Sequence, residues 1–488
     1  MRVDSPLIAL GMAGAALVLW ANSVSGLAMV HLGMHNAVAA ECLLRGEVWQ
    51  TTRGELFAHW PPLFVFLLAA GRALGASYEM TARVLHAVSL AATVMLAVSW
   101  SRKLAPTSWV GWLVGAALLL QPSLLALHGT LASEPLFLAL VLGSLVSAQA
   151  YAERPRGSML ALTTALAGLA CMQRYVGVVD VAVLAALGWW SWPRSTRLRD
   201  LAILLVGSLA PLSAWLVRNV LRTGSLTGPR PPSETELEAS LLESWSALGS
   251  AWTGSAEVSR SGALLAAATI LLALAGGLTL LATPSLRRRG VWALAFPAVY
   301  LVFLVGVASW IWLDPLDARL LSPLIVFSCL LAPVGAHALL ELARMRLPRL
   351  RPCLVAAASV GAVLFLASGV LGVRERMRLV QAAEPHTKPQ ESELVHWLRE
   401  HPLEGEVHSN APEAYALATW RPARLVPTRR VSETLLALPS ARFPLTLVWF
   451  DPMGMMNLEE VRRRKRLSIE PVHGFVDGAI LEVRRRGP

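Results

Sequence analysis

HLGMHNAVAAECLLRGEVWQ occupies residues 31–50, directly after the first long apolar run of a 488-residue chain. It carries two histidines, a glutamate and a cysteine in a helical pattern, and it is more polar than what precedes it. The status of that preceding run decides how the stretch is read. The start, MRVDSPLIALGMAGAALVLW, has a basic residue and an apolar core, as a secretory signal does. The apolar run continues to about residue 30 without a clear small-residue cleavage site. It therefore reads as a retained first span, and residues 31–50 open a segment just outside the membrane.

The rest of the chain repeats that pattern. Hydrophobic residues make up 55% of it and charged residues only 15%, with a mean hydropathy of +0.53. Soluble domains are nearer 25% charged. No Asp, Glu, Lys or Arg lies between Asp4 and Glu41, or between Lys103 and Glu134. Similar runs recur as far as residue 373, most of them long enough to cross ~30 Å of hydrocarbon at ~1.5 Å per residue. They predict eleven spans, at 6–30, 79–101, 108–128, 133–151, 157–174, 176–193, 200–221, 261–285, 290–312, 319–342 and 352–373. The fold class is thus an α-helical polytopic membrane protein.

The net charge of +11 does not point to nucleic acid. The excess sits in short connections: Arg102 and Lys103, Arg154 and Arg156, Arg194 to Arg199, Arg287 to Arg289, and Arg344 to Arg351. These fall at every second loop, which is the positive-inside pattern of a multi-pass protein of the cytoplasmic membrane. It places the N-terminus inside and, over eleven spans, the C-terminus outside. Three long segments are then extracytoplasmic: 31–78, 222–260 and the tail 374–488. The stretch 61–75 is apolar enough to dip into the membrane.

The tail differs in kind. Strand-like runs EVHSN (406–410), TLVWF (446–450) and GAILEVR (478–484) alternate with helix-like ESELVHWLREH (391–401), APEAYALATW (411–420) and MNLEEVRRRK (456–465). That alternation predicts a small C-terminal α/β domain. The run RRRKR (462–466) reads as a solvated helix face, or alternatively as a contact for anionic headgroups. The division is therefore 1–373, transmembrane, and 374–488, extracytoplasmic. The four cysteines show neither a disulfide framework nor a zinc spacing, and His31 and His35 lack a clear third metal ligand, so no cofactor or metal is expected.

Polar groups collect at the outer ends of spans. Glu134 opens one, in TLASEPLF; Arg174 lies between two, in CMQRYVGVVD; Arg218 and Asn219 end one, in LVRNV. Asp314, Asp317 and Arg319, in WLDPLDARLLSP, precede the tenth. Any one is explained by snorkelling or by the helix dipole. Acids and arginines from different spans at one level suggest a site for a lipid phosphate. His59, in GELFAHWPPLF (54–64), sits beside Trp60 and a Pro–Pro pair at a membrane re-entry, and is either an interfacial residue or a phosphate contact. Asp180 falls within the sixth span, where an acid is either functional or paired with an arginine.

Taken in order, AAECLLRG (39–46), HWPPLF (59–64), TARVLHAVSL (81–90), SEPLFLAL (133–140), QRYVG (173–177), VRNVLRTGSLTGPRPPS (217–233), LDARLLSPL (316–324) and HSNAPEAYALATWRPARLVP (408–427) resemble the GT-C glycosyltransferases. The similarity is to bacterial relatives of protein O-mannosyltransferases and lipid A aminoarabinose transferases. It implies transfer of a sugar from a polyprenyl-phosphate carrier to an extracytoplasmic protein, lipid or glycan acceptor, alongside membrane lipids. It also implies a general base in the first external loop and arginines on the carrier phosphate. Donor or substrate contacts are then His59, Glu134, Arg174, Arg218, Asn219, Asp317 and Arg319. The family's loop begins with an Asp about fourteen residues before the glycine matching Gly46; here Leu32 stands there, and no Asp occurs in 31–78. The base candidates become His35 and Glu41. An envelope-lipid transporter and a noncatalytic relative are the alternatives.

Overall fold

The computed structural model describes residues 4–346, 392–427 and 434–485, apart from positions 30, 106, 231, 233–236, 254–259, 312–315, 436, 439–442 and 451–466, and part of 347–374. In hydrocarbon a backbone must satisfy its own hydrogen bonds, so the apolar runs form helices. In chain order these are α1 (Ser5–Ser25), α2 (His31–Leu44), α3 (Leu63–Ala73), α4 (Tyr78–Leu104), α5 (Ser108–Leu119), α6 (Pro122–His128) and α7 (Glu134–Glu153). Then follow α8 (Gly157–Gln173), α9 (Gly177–Ser191), α10 (Arg197–Thr223), α11 (Leu237–Thr253), α12 (Arg260–Ala282), α13 (Arg287–Trp310) and α14 (Ser322–Arg346).

Among the described residues, seven helices are long and apolar enough to cross a membrane, so the protein is multi-pass. Two of the expected spans differ in kind. Residues 108–128 are a pair, α5 and α6, bent by 56°, which makes an eighth span if counted as one. The break has a local cause: Pro122 cannot continue α5, and Gln121 caps α6 by accepting from Ser123 N at 2.8 Å. The helices α8 and α9, with 17 and 15 residues, are shorter than a full span. The eleventh expected span, 352–373, lies partly outside the described residues, and those described, 366–373 among them, are helical. The expected count of eleven is therefore not reached by length and composition. The first span also ends earlier than expected. Gly26, at φ 73°, takes a left-handed conformation that glycine adopts without steric cost, and α1 stops at Ser25.

By contact the chain separates into two compact units. The first comprises residues 1–28, 58–63 and 79–381. Its helices pack through small residues. Gly276 of α12 faces Gly335 of α14, and a Cβ on Gly276 would lie 2.7 Å from the Gly335 nitrogen. Such close backbone approach is how helices associate where lipid removes the hydrophobic drive. Basic residues gather at one set of helix ends: Arg102 pairs with Asp4 at 2.9 Å, and Lys103 and Arg289 with Glu153 at 3.3 and 3.5 Å.

The second unit comprises residues 29–57, 64–78 and 382–488. It contains a five-stranded sheet, formed by β1 (Val407–Ser409), β2 (Arg424–Leu425), β3 (Leu445–Phe450), β4 (Leu467–Phe475) and β5 (Gly478–Arg485). The order is β2-β1-β3-β5-β4, with β1 parallel to both neighbours and β5 antiparallel to both of its own. Helices Glu393–Glu400 and Pro412–Thr419 complete it, so the expected small sheet domain is present. The expected helix 456–465 and the RRRKR run lie outside the described residues. Strand β4 escaped the sequence reading because it carries Pro471 at a register shift and is mostly exposed, as an edge strand can be. The segment that follows α1 belongs here too. Met34, Val38 and Cys42 of α2 share an apolar cluster with Ala416, and Arg53 pairs with Glu413 at 3.1 Å.

The α12–α14 crossing gives a direct prediction. Gly335→Leu forces the two backbones apart, and a destabilisation of about 1–3 kcal/mol is expected for such overpacking. A lowered Tm of the detergent-purified full chain, with Gly306→Leu at an open site as control, is the readout.

Candidate functional site

Within the first unit, three of the expected polar residues meet. Glu134 is the first residue of α7, 4% exposed, so its carboxylate also lies at a helix N-terminus. Arg174 caps the C-terminus of α8 and forms an ion pair with Glu134. Arg319 approaches the same oxygen, Oε1, at 3.5 Å from the turn before α14. Neighbours fix each partner. Ser133 Oγ donates to Glu134 Oε2 at 3.4 Å and accepts from Arg174 Nη1 at 3.4 Å, and Gln173 Nε2 donates to the Ser133 carbonyl at 2.8 Å.

The Arg319 turn is equally tied. Asp317 Oδ1 accepts from Leu320 N at 3.0 Å, and its other oxygen lies 3.5 Å from Arg319 Nε. Tyr300 donates to the Leu320 carbonyl at 2.7 Å. Asp317 therefore shapes the turn as well as facing the arginine. Asp314, expected nearby, lies outside the described residues. One buried carboxylate thus holds two guanidiniums that come from chain segments far apart in sequence. Each guanidinium has five donors in a planar fork suited to oxyanions. Among the described residues, Arg174 engages its acceptors through Nη1 alone.

The second group of expected residues is organised around a backbone carbonyl. Asn219, fully buried, donates through Nδ2 to Leu226 O at 2.9 Å, Tyr175 Oη at 3.1 Å and Ala58 O at 3.5 Å. Tyr175 donates to the same Ala58 carbonyl at 2.7 Å and accepts from Trp215 Nε1 at 3.1 Å. Burial pushes the Tyr175 phenol above its ordinary value, so it stays a neutral donor. His59 faces Pro229 O at 3.4 Å, and its own carbonyl accepts from Arg230 Nη2 at 3.1 Å. Arg218 donates to Asn219 Oδ1 at 3.0 Å and lies over the Trp215 ring at 4.6 Å. These contacts hold residues 58–59 against the 224–230 loop. Gly228 permits the approach: it has φ 78°, and a Cβ there would lie 2.7 Å from the His59 ring. The sequence gives Asn219 and His59 as substrate contacts; their partners in the structure include backbone carbonyls. Tyr175 and Arg230, which hold them, carried no signal beyond lying inside the family-like motifs.

The base candidates lie on α2 in the second unit and have different surroundings. His35 is 4% exposed, and its Nδ1 accepts from Thr52 N at 3.1 Å and faces Thr52 Oγ1 at 2.9 Å. The donating amide fixes Nδ1 as the unprotonated nitrogen of a neutral ring. Glu41 is half-buried; its Oε1 accepts from Arg45 Nε at 2.9 Å and its Oε2 from Tyr78 Oη at 2.6 Å. Asp180 is fully buried and meets Ser144 at 2.7 Å rather than an arginine. Among the described residues no group of three or more His, Cys, Asp or Glu could hold a metal.

Neither family models nor curated proteins match the sequence. Solved structures do match in fold. ArnT from Cupriavidus metallidurans in the apo state is similar with a TM-score of 0.63 at 14% identity, covering 96% of both chains. The same protein bound to undecaprenyl phosphate gives 0.63 at 14% identity, over 98% of both. The arabinofuranosyltransferase AftD from Mycobacteria gives 0.58 at 18% identity, over all of this chain but 40% of that one. The chain therefore shares the fold of these ArnT and AftD structures.

The ion-pair node predicts its own weak point. Glu134→Ala leaves two buried-side cations facing each other, and breaking a buried pair by removing one partner costs about 3 kcal/mol or more. A marked fall in the Tm of the purified protein is expected, and Arg319→Ala in the Glu134→Ala background should recover part of it.

Proposed function

We propose that the chain is an integral-membrane glycosyltransferase that moves a sugar from a polyprenyl-phosphate carrier to an extracytoplasmic acceptor. The observation that carries this reading is the convergence of Arg174 and Arg319 on Glu134, at span ends away from the basic loops. The shared fold supports it, since one ArnT structure holds undecaprenyl phosphate and AftD is itself a glycosyltransferase. In the reaction the acceptor oxygen attacks the sugar's anomeric carbon while the bond to the carrier phosphate breaks. The base takes the acceptor's proton, and the phosphate leaves carrying the negative charge. Two guanidiniums held apart in advance stabilise that charge without reorganising.

Glu41 is the better supported base. Its carboxylate is partly exposed, at 15%, and oriented by Arg45 and Tyr78, in the manner of a base held by a third group. His35 is buried with Nδ1 already engaged. His59, Arg218, Asn219 and Asp317 act on the substrate through the loops they hold. The division into a transmembrane part, 1–373, and an extracytoplasmic part, 374–488, belongs to the same reading.

Transfer from a synthetic polyprenyl-phosphate sugar to a panel of protein, lipid and glycan acceptors is the test. Arg174→Ala and Arg319→Ala should each lower turnover by about 100-fold, the usual size of one lost oxyanion donor. In the same assay Glu41→Gln should lower kcat by at least about 100-fold while His35→Gln has the smaller effect. Normal turnover in both arginine variants would sink the site. Movement of labelled lipid across a liposome without chemical change would replace transfer with transport.

Orientation is tested separately. Single cysteines placed in the 154–156 and 286–290 loops should label only from the cytoplasmic side, and one at Val476, 90% exposed in the tail, only from outside.

A further inference from the structure

Asp180 has no part in the reaction as described, yet it is a fully buried carboxyl group in the first turn of α9. Its Oδ2 lies 2.7 Å from Ser144 Oγ of α7. Its Oδ1 is buried and has no hydrogen-bond partner among the described residues. Ser144 Oγ lies in turn 2.8 Å from the Val141 carbonyl of its own helix. Helices α7, α8, α10 and α13 pack on α9. Over 135–152, 157–173, 201–217 and 290–310 they carry no Asp, Glu, Lys or Arg. The titratable groups in those runs are Tyr151, which donates to Asp200, Tyr300, which donates to the Leu320 carbonyl, and Cys171 of α8, a buried thiol facing Asp180. Arg174, just before α9, pairs with Glu134.

We propose that Asp180 is a positioning residue: a neutral carboxylic acid that donates to Ser144 and so clamps α9 to α7 through its own proton. An ionised carboxylate would set a full charge inside the bundle, with one hydroxyl for two oxygens and no cation. A buried charge without a pair costs far more than a neutral polar group. The neutral acid removes the difficulty. Its hydroxyl donates to Ser144 Oγ, and the single Ser144 proton goes to the Val141 carbonyl. The unpartnered Oδ1 is then a neutral carbonyl oxygen instead of half an anion. The seam continues in the same sense: Ser147 Oγ donates to the Ser144 carbonyl at 3.0 Å, and Thr163 Oγ1 of α8 meets Ser147 Oγ at 2.9 Å.

The clamp lies close behind the arginine turn. Helix α9 starts three residues after Arg174, and a Cβ on Gly177 would lie 2.5 Å from the Cys171 nitrogen. That close fit ties the first turn of α9 to the end of α8, which Arg174 caps. Asp180 fastens the same turn to α7, the helix that begins with Glu134. The bearing of the clamp on donor binding rests on the glycosyltransferase reading above. The clamp holds while the acid keeps its proton and opens as rising pH removes it. Arg174 keeps its charge throughout, but the turn that places it loosens.

Two measurements on the full chain in nanodiscs test this. The first is infrared difference spectroscopy at pH 7 between the wild type and Asp180→Asn. The carbonyl band of a protonated carboxylic acid is expected in the wild type and not in the variant. In Ser144→Ala the band should move to higher wavenumber, because the acid loses its acceptor; this comparison reads the band even where Asp180→Asn does not fold. No such band, or a band that Ser144→Ala leaves in place, overturns the proposal, whatever the activity. The second is binding of undecaprenyl phosphate. Asparagine keeps a donor for Ser144, whereas leucine keeps only the volume. Asp180→Leu should weaken binding about tenfold, the size of one lost hydrogen bond, and Asp180→Asn should restore it. The wild-type affinity should fall at alkaline pH more steeply than that of Asp180→Asn. An Asp180→Asn protein as weak as Asp180→Leu, or one with the wild-type pH profile, overturns the positioning role. Failure of the wild type to bind undecaprenyl phosphate instead overturns the donor reading, and the infrared band still decides the clamp.

Discussion

Hydrocarbon offers no hydrogen-bond partners, so every backbone group in the first unit must find one within the protein. That constraint sets the helices and also sets what their polar side chains can do. Most serve the backbone where a helix breaks or approaches another. Ser208 donates to Thr164 O at 3.1 Å, Asn22 and His86 hold the carbonyls of the 128–132 turn, and Asn219 holds the Ala58 and Leu226 carbonyls. Glu134 stands apart. It meets two arginines, and it does so at a helix start, after the α6–α7 break.

This sorting explains how much of the site could be read in advance. Glu134, Arg174, Asp317 and Arg319 were visible because charges are rare among the spans, and each falls where a charge-free run ends. Their convergence was not visible, since residues 134, 174 and 319 are brought together only by packing. Asn219 and His59 shared the same sequence signal but serve to hold a loop on residues 58–59. A polar residue beside a membrane gives no sign of whether its partner is a carbonyl or a ligand. Asp180 illustrates the converse: an acid among apolar residues suggests an arginine partner until the structure gives it a serine.

The fold itself was largely legible. Ten of the expected spans correspond to helices or to a bent helix pair, and the tail's strands at 407–409, 445–450 and 478–485 fall on the apolar runs. The departures have local physical causes: a left-handed glycine at 26, a proline at 122, and an edge strand interrupted by Pro471. Length was the less reliable guide, because a 15-residue apolar helix such as α9 can pack within a bundle without spanning alone.

The segment between α1 and α4 shows what local pattern cannot reach. Leu32 stands where the resemblance implies an acid, and the residues that could replace it depend on distant chain. The α2 face with Met34, Val38 and Cys42 packs on Ala416; Thr52, which donates to His35, has its own carbonyl bonded by Ala423 N at 2.9 Å; and Glu41 is held by Tyr78, whose ring lies 4.9 Å from Trp420. Each of these supports comes from the family-like tail stretch 408–427 or from the segment leading into α4. The tail therefore packs directly on the segment that carries Glu41. Within the tail, the 408–427 stretch supplies Ala416 to the apolar face of α2 and Trp420 to the ring of Tyr78, which in turn bonds Glu41.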